Sequence, residues 1–416
     1  MSVTRRAFVK GSAAASLSVV GGCLSVDEGS GAYPGWRRGE LDIHFIHTGV
    51  GEQTFFIFPD GTTMLLDCGD THHAKYMCDV PPQPSGDRYG GEWVSRYIQR
   101  LVSGRTIDYV MVSHWHGDHT GDLMFGGKNS ADGRIVCGIP LVGEHFTFRH
   151  YLDHQYPKMG GHAKDPDPDA LRLMKAWIPY AMKRDGMTAE KVQVGALNQI
   201  KLLKDAAAYP SFEIRNLAGN GVLWDGKNGI VDCARVQIEK TGKDEIHENR
   251  LSAAIRIRYG AFAYYTGGDN ELTMIGENGK AFNWEQTIGK VCGPVDVAKT
   301  NHHAGAFGMS PEFVRELRAK VYLSSVWQPK MVDHKSLSAM CSRELYSGDR
   351  LVCFGYIADK VKEVAAAYDR DLAPGGHAVV KVAPGGGTFK VYTLNAADES
   401  MAVLACFRFE SGGPKT

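Results

Sequence analysis

Ser113-His114-Trp115-His116-Gly117-Asp118-His119-Thr120-Gly121-Asp122 gathers three imidazoles and a carboxylate into six consecutive positions, 114 to 119. The run Ile107–Val112 in front of it is short and apolar throughout, the pattern of a strand buried on both faces. The cluster is therefore delivered at the C-terminal end of a buried strand. Alternate residues of an extended segment point the same way, so His114 and His116 can grip one ion while Asp118 and His119 project toward a second. Neutral imidazole and carboxylate together form the donor set of Zn2+, and equally of Mn2+ or Fe. A histidine-rich surface loop assembled by chance is a poor account of this order at a strand end.

Upstream of the cluster, Leu41–His47 and Thr54–Phe58 read as strands, Pro59-Asp60-Gly61 as a turn and Thr62–Leu66 as a third strand. Trp93, Val94, Tyr97, Ile98, Leu101 and Val102 recur at helical spacing until Gly104. Residues 160–210 read as an insertion, rich in Pro and Asp at first and then helical over Leu171–Arg184. A second β-rich half begins near Phe212, with Ala254–Tyr259 and Phe262–Thr266 as a hairpin. Ser310-Pro311-Glu312 opens a helix in N-cap order. Val321–Val326, Leu351–Phe354, Val379–Val382 and Thr388–Tyr392 follow as strands. Alternation of strands and helices, present twice, suits an α/β chain whose two-sheet core has helices outside.

The chain has 416 residues, 43% hydrophobic and 23% charged, the balance of a soluble globular protein with a sizeable core. Lys+Arg and Asp+Glu stand at 47 each, so there is no basic excess of the kind that holds long nucleic acids by their phosphates. At the N-terminus, Thr4-Arg5-Arg6-Ala7-Phe8-Val9-Lys10 precedes a small-residue stretch and resembles a twin-arginine export signal. Val19-Val20-Gly21-Gly22-Cys23 resembles a lipoprotein cleavage site, with Cys23 the candidate for a membrane lipid anchor. Residues 1–23 are thus expected to direct export, 24–36 to form a flexible tether, and 37–416 to fold as a single domain. A periplasmic or membrane-anchored location follows. None of the nine cysteines shows a CxxC spacing, which argues against a thiolate zinc site. An oxidising compartment permits disulfides but no spacing suggests a framework, and buried free thiols are at least an equal expectation.

The cluster resembles the HxHxDH signature of the metallo-β-lactamase superfamily, which implies a four-layer αββα sandwich. Asp67, in Met64-Leu65-Leu66-Asp67-Cys68-Gly69, is similar to the carboxylate that ends an early strand and orients the site. Asp269, after Tyr264-Tyr265-Thr266-Gly267-Gly268, resembles the carboxylate that bridges two metals, and His302-His303 resembles the late histidine of the second site. Within the superfamily the chain is similar to the hydrolase-like domain of bacterial DNA-uptake channel proteins and its soluble relatives. Those carry a Val-Gly-Gln-Gly-Asp turn and a Pro-Asp-Gly hairpin. Here His47-Thr48-Gly49-Val50-Gly51-Glu52 and Pro59-Asp60-Gly61 keep the glycines and change the polar partners. Asn249-Arg250-Leu251-Ser252 matches that branch in outline, and Ala304 interrupts its His-His-Gly run.

The resemblance implies His114, His116, Asp118, His119, Asp269 and one of His302 and His303 as ligands, His302 being preferred by its strand position. A further histidine should complete the first site. His154 is preferred because Asp153-His154 closes the strand Phe146–Leu152, with His145 second and His150, His162 and His247 behind. Asp118 would also help to orient the nucleophile. His334, beyond Trp327-Gln328-Pro329, is a candidate proton donor or phosphate contact. His72-His73 read as a solvated loop pair, and His44 and His47 as core residues. The expected cofactor is a pair of divalent ions, zinc first with Mn or Fe as alternatives, sharing a water with Asp269 between them. No Gly-x-Ser-x-Gly elbow offers a serine nucleophile. The expected activity is hydrolysis of a phosphodiester-type or other small-molecule substrate. Lactam or lactone hydrolysis, a di-iron redox protein and a non-catalytic metal-binding lipoprotein are the alternatives.

Overall fold

Alternation along each apolar strand divides its side chains between two cores. Phe56 and Phe58 face one interior and Phe55 and Ile57 the other, and Met64 and Leu66 separate from Leu65 in the same way. These assignments come from a computed structural model that describes residues 31–412, apart from 71–79, 125, 161–162, 164–166, 198, 245, 272, 329–330 and 357–365. The export signal, Cys23, Cys78, His72-His73 and His162 lie outside the described residues. Among the described residues no helix is long and apolar enough to cross a membrane.

Among the described residues the strands form two large sheets, one of nine strands and one of eight. The first runs, in spatial order, Val403–Glu410, Thr388–Leu394, His377–Val382, Leu41–Phe45, Thr54–Ile57, Thr63–Leu66, Thr106–Met111, Thr147–Asp153 and Thr188–Lys191. The second runs Ile230–Asp232, Val222–Trp224, Phe212–Gly219, Ala254–Tyr259, Phe262–Thr266, Val297–Lys299, Val321–Ser324 and Leu351–Phe354. Their inner faces meet in one core, where Ile43, Phe56, Met64 and Met111 pack with Ile255, Ile257, Tyr264 and Leu323. The outer face of the first sheet is covered by the helices Gly90–Leu101 and Pro168–Asp185, through Val94, Ile98, Met174 and Trp177. Helices Trp284–Cys292, Pro311–Leu317 and His334–Cys341 cover the second through Ile288, Phe313 and Leu337. The result is the four-layer αββα sandwich.

Parallel pairing decides where the chemistry collects. Thr63–Leu66, Thr106–Met111 and Thr147–Asp153 run parallel in the first sheet, as do Phe262–Thr266 and Val297–Lys299 in the second. Loops leaving the C-terminal ends of these strands carry Asp67, the 113–119 cluster, His154, Asp269 and His302-His303.

Two sequence expectations take fuller form in the structure. Residues 160–210 do not stand apart from the domain. The helix Pro168–Asp185 buries Leu171, Met174, Trp177, Ile178 and Ala181 against the first sheet. Thr188–Lys191 then adds to that sheet, parallel to Thr147–Asp153, so the segment is a strand–helix–strand crossover. Nor is the whole of 24–36 a free tether. Tyr33 is buried, donates its hydroxyl to Asp42 Oδ2 at 2.5 Å and pairs its backbone N–H with Met401 O at 3.0 Å, which fixes the chain from there onward.

Candidate metal centre

The site is built around interlocked loops. Asp118 O accepts the backbone N–H of Glu52 at 2.8 Å, and Cys68 N–H donates to His119 O at 2.8 Å. Gly69 is pressed so closely into this junction that a Cβ there would stand 1.9 Å from Asp118 O. The glycine-rich turn at 49–52 and the Asp67-Cys68-Gly69 corner therefore clamp the histidine cluster from one side.

Asp67 ends its strand in a left-handed conformation, φ 56°, and is fully buried. Its Oδ1 accepts Ser113 N–H and its Oδ2 accepts Ser113 Oγ–H, both at 2.7 Å, while Oδ2 also lies 2.9 Å from His119 Nδ1. The carboxylate holds the proton of His119 on Nδ1 and turns Nε2 toward the centre. Glu52 stands behind His303 on the corresponding side, its Oε2 3.6 Å from Nδ1, an ion-pair distance and not a hydrogen bond.

The two Nε2 atoms thus presented lie 3.4 Å apart. His119 Nε2 is 3.2 Å from Asp269 Oδ1 and 3.9 Å from Asp118 Oδ2. His303 Nε2 is 3.2 Å from Asp269 Oδ2 and 3.1 Å from Asp118 Oδ2. Lys299, fully buried, reaches Glu52 Oε2 at 2.8 Å, Gly268 O at 2.6 Å and Asp269 Oδ1 at 3.5 Å. Donor atoms of Glu52, His119, Asp269 and His303 all fall within 4.8 Å of one another. Because His303 offers Nε2 to the centre and Nδ1 to Glu52, we place Glu52 behind the imidazole and Asp118 among the ligands.

Burial disfavours a charged imidazole and is the largest influence on both histidines. Asp269 and Asp118 outweigh it, raising His119 well above the ordinary histidine range and His303 to about 9. Burial likewise raises Asp269, but His303 and His119 reverse the balance and hold it well below the usual carboxylate range. Two imidazoles and two carboxylates converge in a buried space, where a cation would take the place of the imidazole protons, and the donor set fits a divalent one.

His114 and His116 form the neighbouring half, with His114 Nε2 3.1 Å from His116 Nδ1. Burial, followed by the charges of His119 and His116, pushes His114 well below its ordinary value, which leaves it neutral and able to ligate. His154 is fully buried but paired elsewhere: its Nε2 is 2.9 Å from Glu248 Oε1, which also accepts Trp115 N–H at 2.9 Å. Of its competitors, His150 bonds Thr188 Oγ1 at 2.8 Å, and half-buried His145 lies near Glu92, Lys128 and Glu144. His247 precedes the short helix Glu248–Leu251. The structure brings His303 rather than His302 into the centre, against the preference from strand position. His302, His303 and Ala304 all adopt left-handed φ, 47°, 52° and 54°, and this turn sends the adjacent imidazoles in different directions. His334 opens its helix exposed to solvent, beside the turn through a bond from Asp333 N–H to Ala304 O at 2.8 Å, and is not drawn into the cluster. His44 is a core residue, bonded to Tyr97.

Glu52, Lys299, Glu248 and Ser113 escaped the sequence reading as site residues. Glu52 carries one signal, a carboxylate between the glycines of a turn that keeps its glycines. Glu248 carries another, an acid immediately before Asn249-Arg250-Leu251-Ser252.

The family model of the Metallo-beta-lactamase superfamily matches residues 47–167. No curated protein matches the sequence. Among solved structures, the chain is similar to one described as a new diphosphatase from the PhnP family, with 9% identity and a TM-score of 0.34 over 83% of this chain and 98% of that one. It is also similar to a long form RNase Z from yeast, with 12% identity and a TM-score of 0.35 over 80% of this chain and 44% of that one. The match over residues 47–167, the part of the chain that holds the histidine cluster, together with the layered sheets, identifies a domain of the metallo-β-lactamase type.

Proposed function

We propose that this metallo-hydrolase holds two divalent ions, zinc in the first instance, and cleaves phosphodiester-type substrates outside the cytoplasm. The convergence of His119, His303, Asp118 and Asp269 carries the hydrolytic reading. These four residues would hold one ion, and His114 and His116 the other, with Asp269 between the two. Divalent ions so held supply Lewis acidity and lower the pKa of water into the neutral range. The protein's own part is positioning. Asp67 and Glu52 aim His119 and His303, and Lys299 braces Asp269 and the Gly268 carbonyl from the buried side. Asp118, 14% exposed at its side chain, is the carboxylate best placed to orient an incoming water.

The phosphodiester class is supported by the resemblance of the 47–52 turn, Pro59-Asp60-Gly61 and Asn249–Ser252 to the DNA-uptake branch. The overall charge balance argues for small substrates over long nucleic acids. Export, with Cys23 as a lipid anchor, is supported by the order of residues 4–23.

The test is metal content and turnover on the same preparation. Bound metals are quantified while bis-p-nitrophenyl phosphate and a chromogenic lactam are offered to the wild type and to His303→Ala. Two equivalents of zinc or manganese, with phosphodiester cleavage lost in the variant, is the expected result. Lactam cleavage alone would replace the substrate class. Iron with oxygen consumption would replace hydrolysis by redox chemistry.

A further inference from the structure

Two adjacent histidines leave the strand Val297–Lys299 and part company. While His303 enters the metal centre, His302 stays at its edge with 27% of its side chain exposed and Nδ1 3.8 Å from Glu271 Oε1. Glu271 is held in turn by Asn249 Nδ2 at 2.7 Å and Arg250 Nη2 at 3.3 Å, so this edge is firm and the arginine offsets its acid. Phe307 lies over His302 with the ring planes 16° apart and the centroids 6.3 Å apart, and it is 59% exposed.

A phenyl ring with most of its surface in water does little for the fold. A solitary exposed apolar residue ordinarily means nothing. This one is stacked on a histidine next to the metal ligands, at the end of a turn kept in left-handed conformations that non-glycine residues rarely adopt. The pair forms a flat, partly exposed aromatic shelf next to the ligand His303, the His302 and His303 ring centroids being 6.3 Å apart.

We propose that the His302–Phe307 shelf seats a planar ring that the substrate carries next to its scissile group. Resting on the phosphodiesterase reading, this narrows the substrate class to nucleoside or aryl phosphodiesters. Every nucleobase has a π-face, so the shelf selects for a ring without selecting among bases.

Equilibrium binding to the full-length, metal-loaded protein tests the shelf without turnover, using a dithymidine phosphorothioate and its abasic counterpart. The ring-bearing ligand is expected to bind about tenfold tighter, within the range of base–aromatic stacking. Phe307→Ala should bring the two within about twofold, and Phe307→Trp should keep the preference. Equal binding in the wild type, or a preference that survives Phe307→Ala, overturns the inference. Should Phe307→Ala lose its metal or its fold, Phe307→Leu decides, because it keeps apolar bulk and removes the π-face: a retained preference overturns the shelf, a lost one supports it. Cleavage of bis-p-nitrophenyl phosphate is scored separately. A ring preference without cleavage ends the phosphodiesterase reading and leaves the shelf standing, and cleavage without ring preference does the reverse.

Discussion

Asp67 Oδ2 lies 2.9 Å from His119 Nδ1, so a proton is held on that nitrogen and Nε2 is the one turned toward the centre. Asp67→Asn keeps the size and removes the charge that fixes this proton. The expected loss is about 10–100-fold in metal affinity, read by competition against a fluorescent chelator. Unchanged affinity would show that Ser113 and the backbone hold the imidazole unaided.

Removing metal should destabilise the fold. Chelation leaves His119, His303, Asp118 and Asp269 converging in a buried space without their cation. Free zinc at about 100 times its Kd should add about 3 kcal/mol, a rise of several degrees in Tm that EDTA abolishes. An unmoved Tm would mean that the ligands do not close on one ion.

Glu248 joins two parts of the site, taking Trp115 N–H and His154 Nε2 on the same oxygen. Both acidic and imidazole partners are fully buried. Glu248→Ala strands one of them and should cost about 3–5 kcal/mol in urea unfolding, with Glu248→Gln costing less because it keeps an acceptor. Equal losses for the two variants would assign the effect to packing.

Ala304 stands at φ 54°, where the resembling family carries glycine. A left-handed alanine costs about 1–2 kcal/mol, and its buried methyl returns about 0.8 kcal/mol. Ala304→Gly should therefore raise stability by up to about 1 kcal/mol in denaturant unfolding. A loss of similar size would mean that the methyl packs better than its area suggests.

Glu285 supplies the clearest pH dependence. It accepts Met309 N–H at 2.8 Å, Ser310 N–H at 2.7 Å and Asn301 Nδ2–H at 2.9 Å, all of which favour the carboxylate, yet burial outweighs them and raises it to about 7. A carboxyl raised on folding contributes stability that is full below the unfolded value of 4.5 and is lost as pH rises through about 7. The difference is on the order of 3 kcal/mol across that window. Stability profiles of the wild type and Glu285→Gln should diverge between those limits, and parallel profiles would refute the assignment.

The histidine cluster was legible because one strand fixes its direction and its ligands are close neighbours in sequence. Asp67 and Asp269 were legible for a similar reason, each ending a strand of plain apolar character. The choice between His302 and His303 was not, since a left-handed turn breaks the alternation on which strand logic rests. Thr188–Lys191 was lost among loop residues because it is a polar, largely exposed edge strand whose place depends on pairing with Thr147–Asp153. Glu52 and Lys299 look ordinary in sequence, and only the meeting of the two sheets brings them within 2.8 Å.

Asp118 and His119 belong to the first sheet's loops, Asp269 and His303 to the second's. A chain that has assembled one sheet offers half a chelate, which holds an ion weakly. Tight capture of the metal therefore reports that both halves are in place, and the ion acts as a proofreader of folding as well as an agent of chemistry.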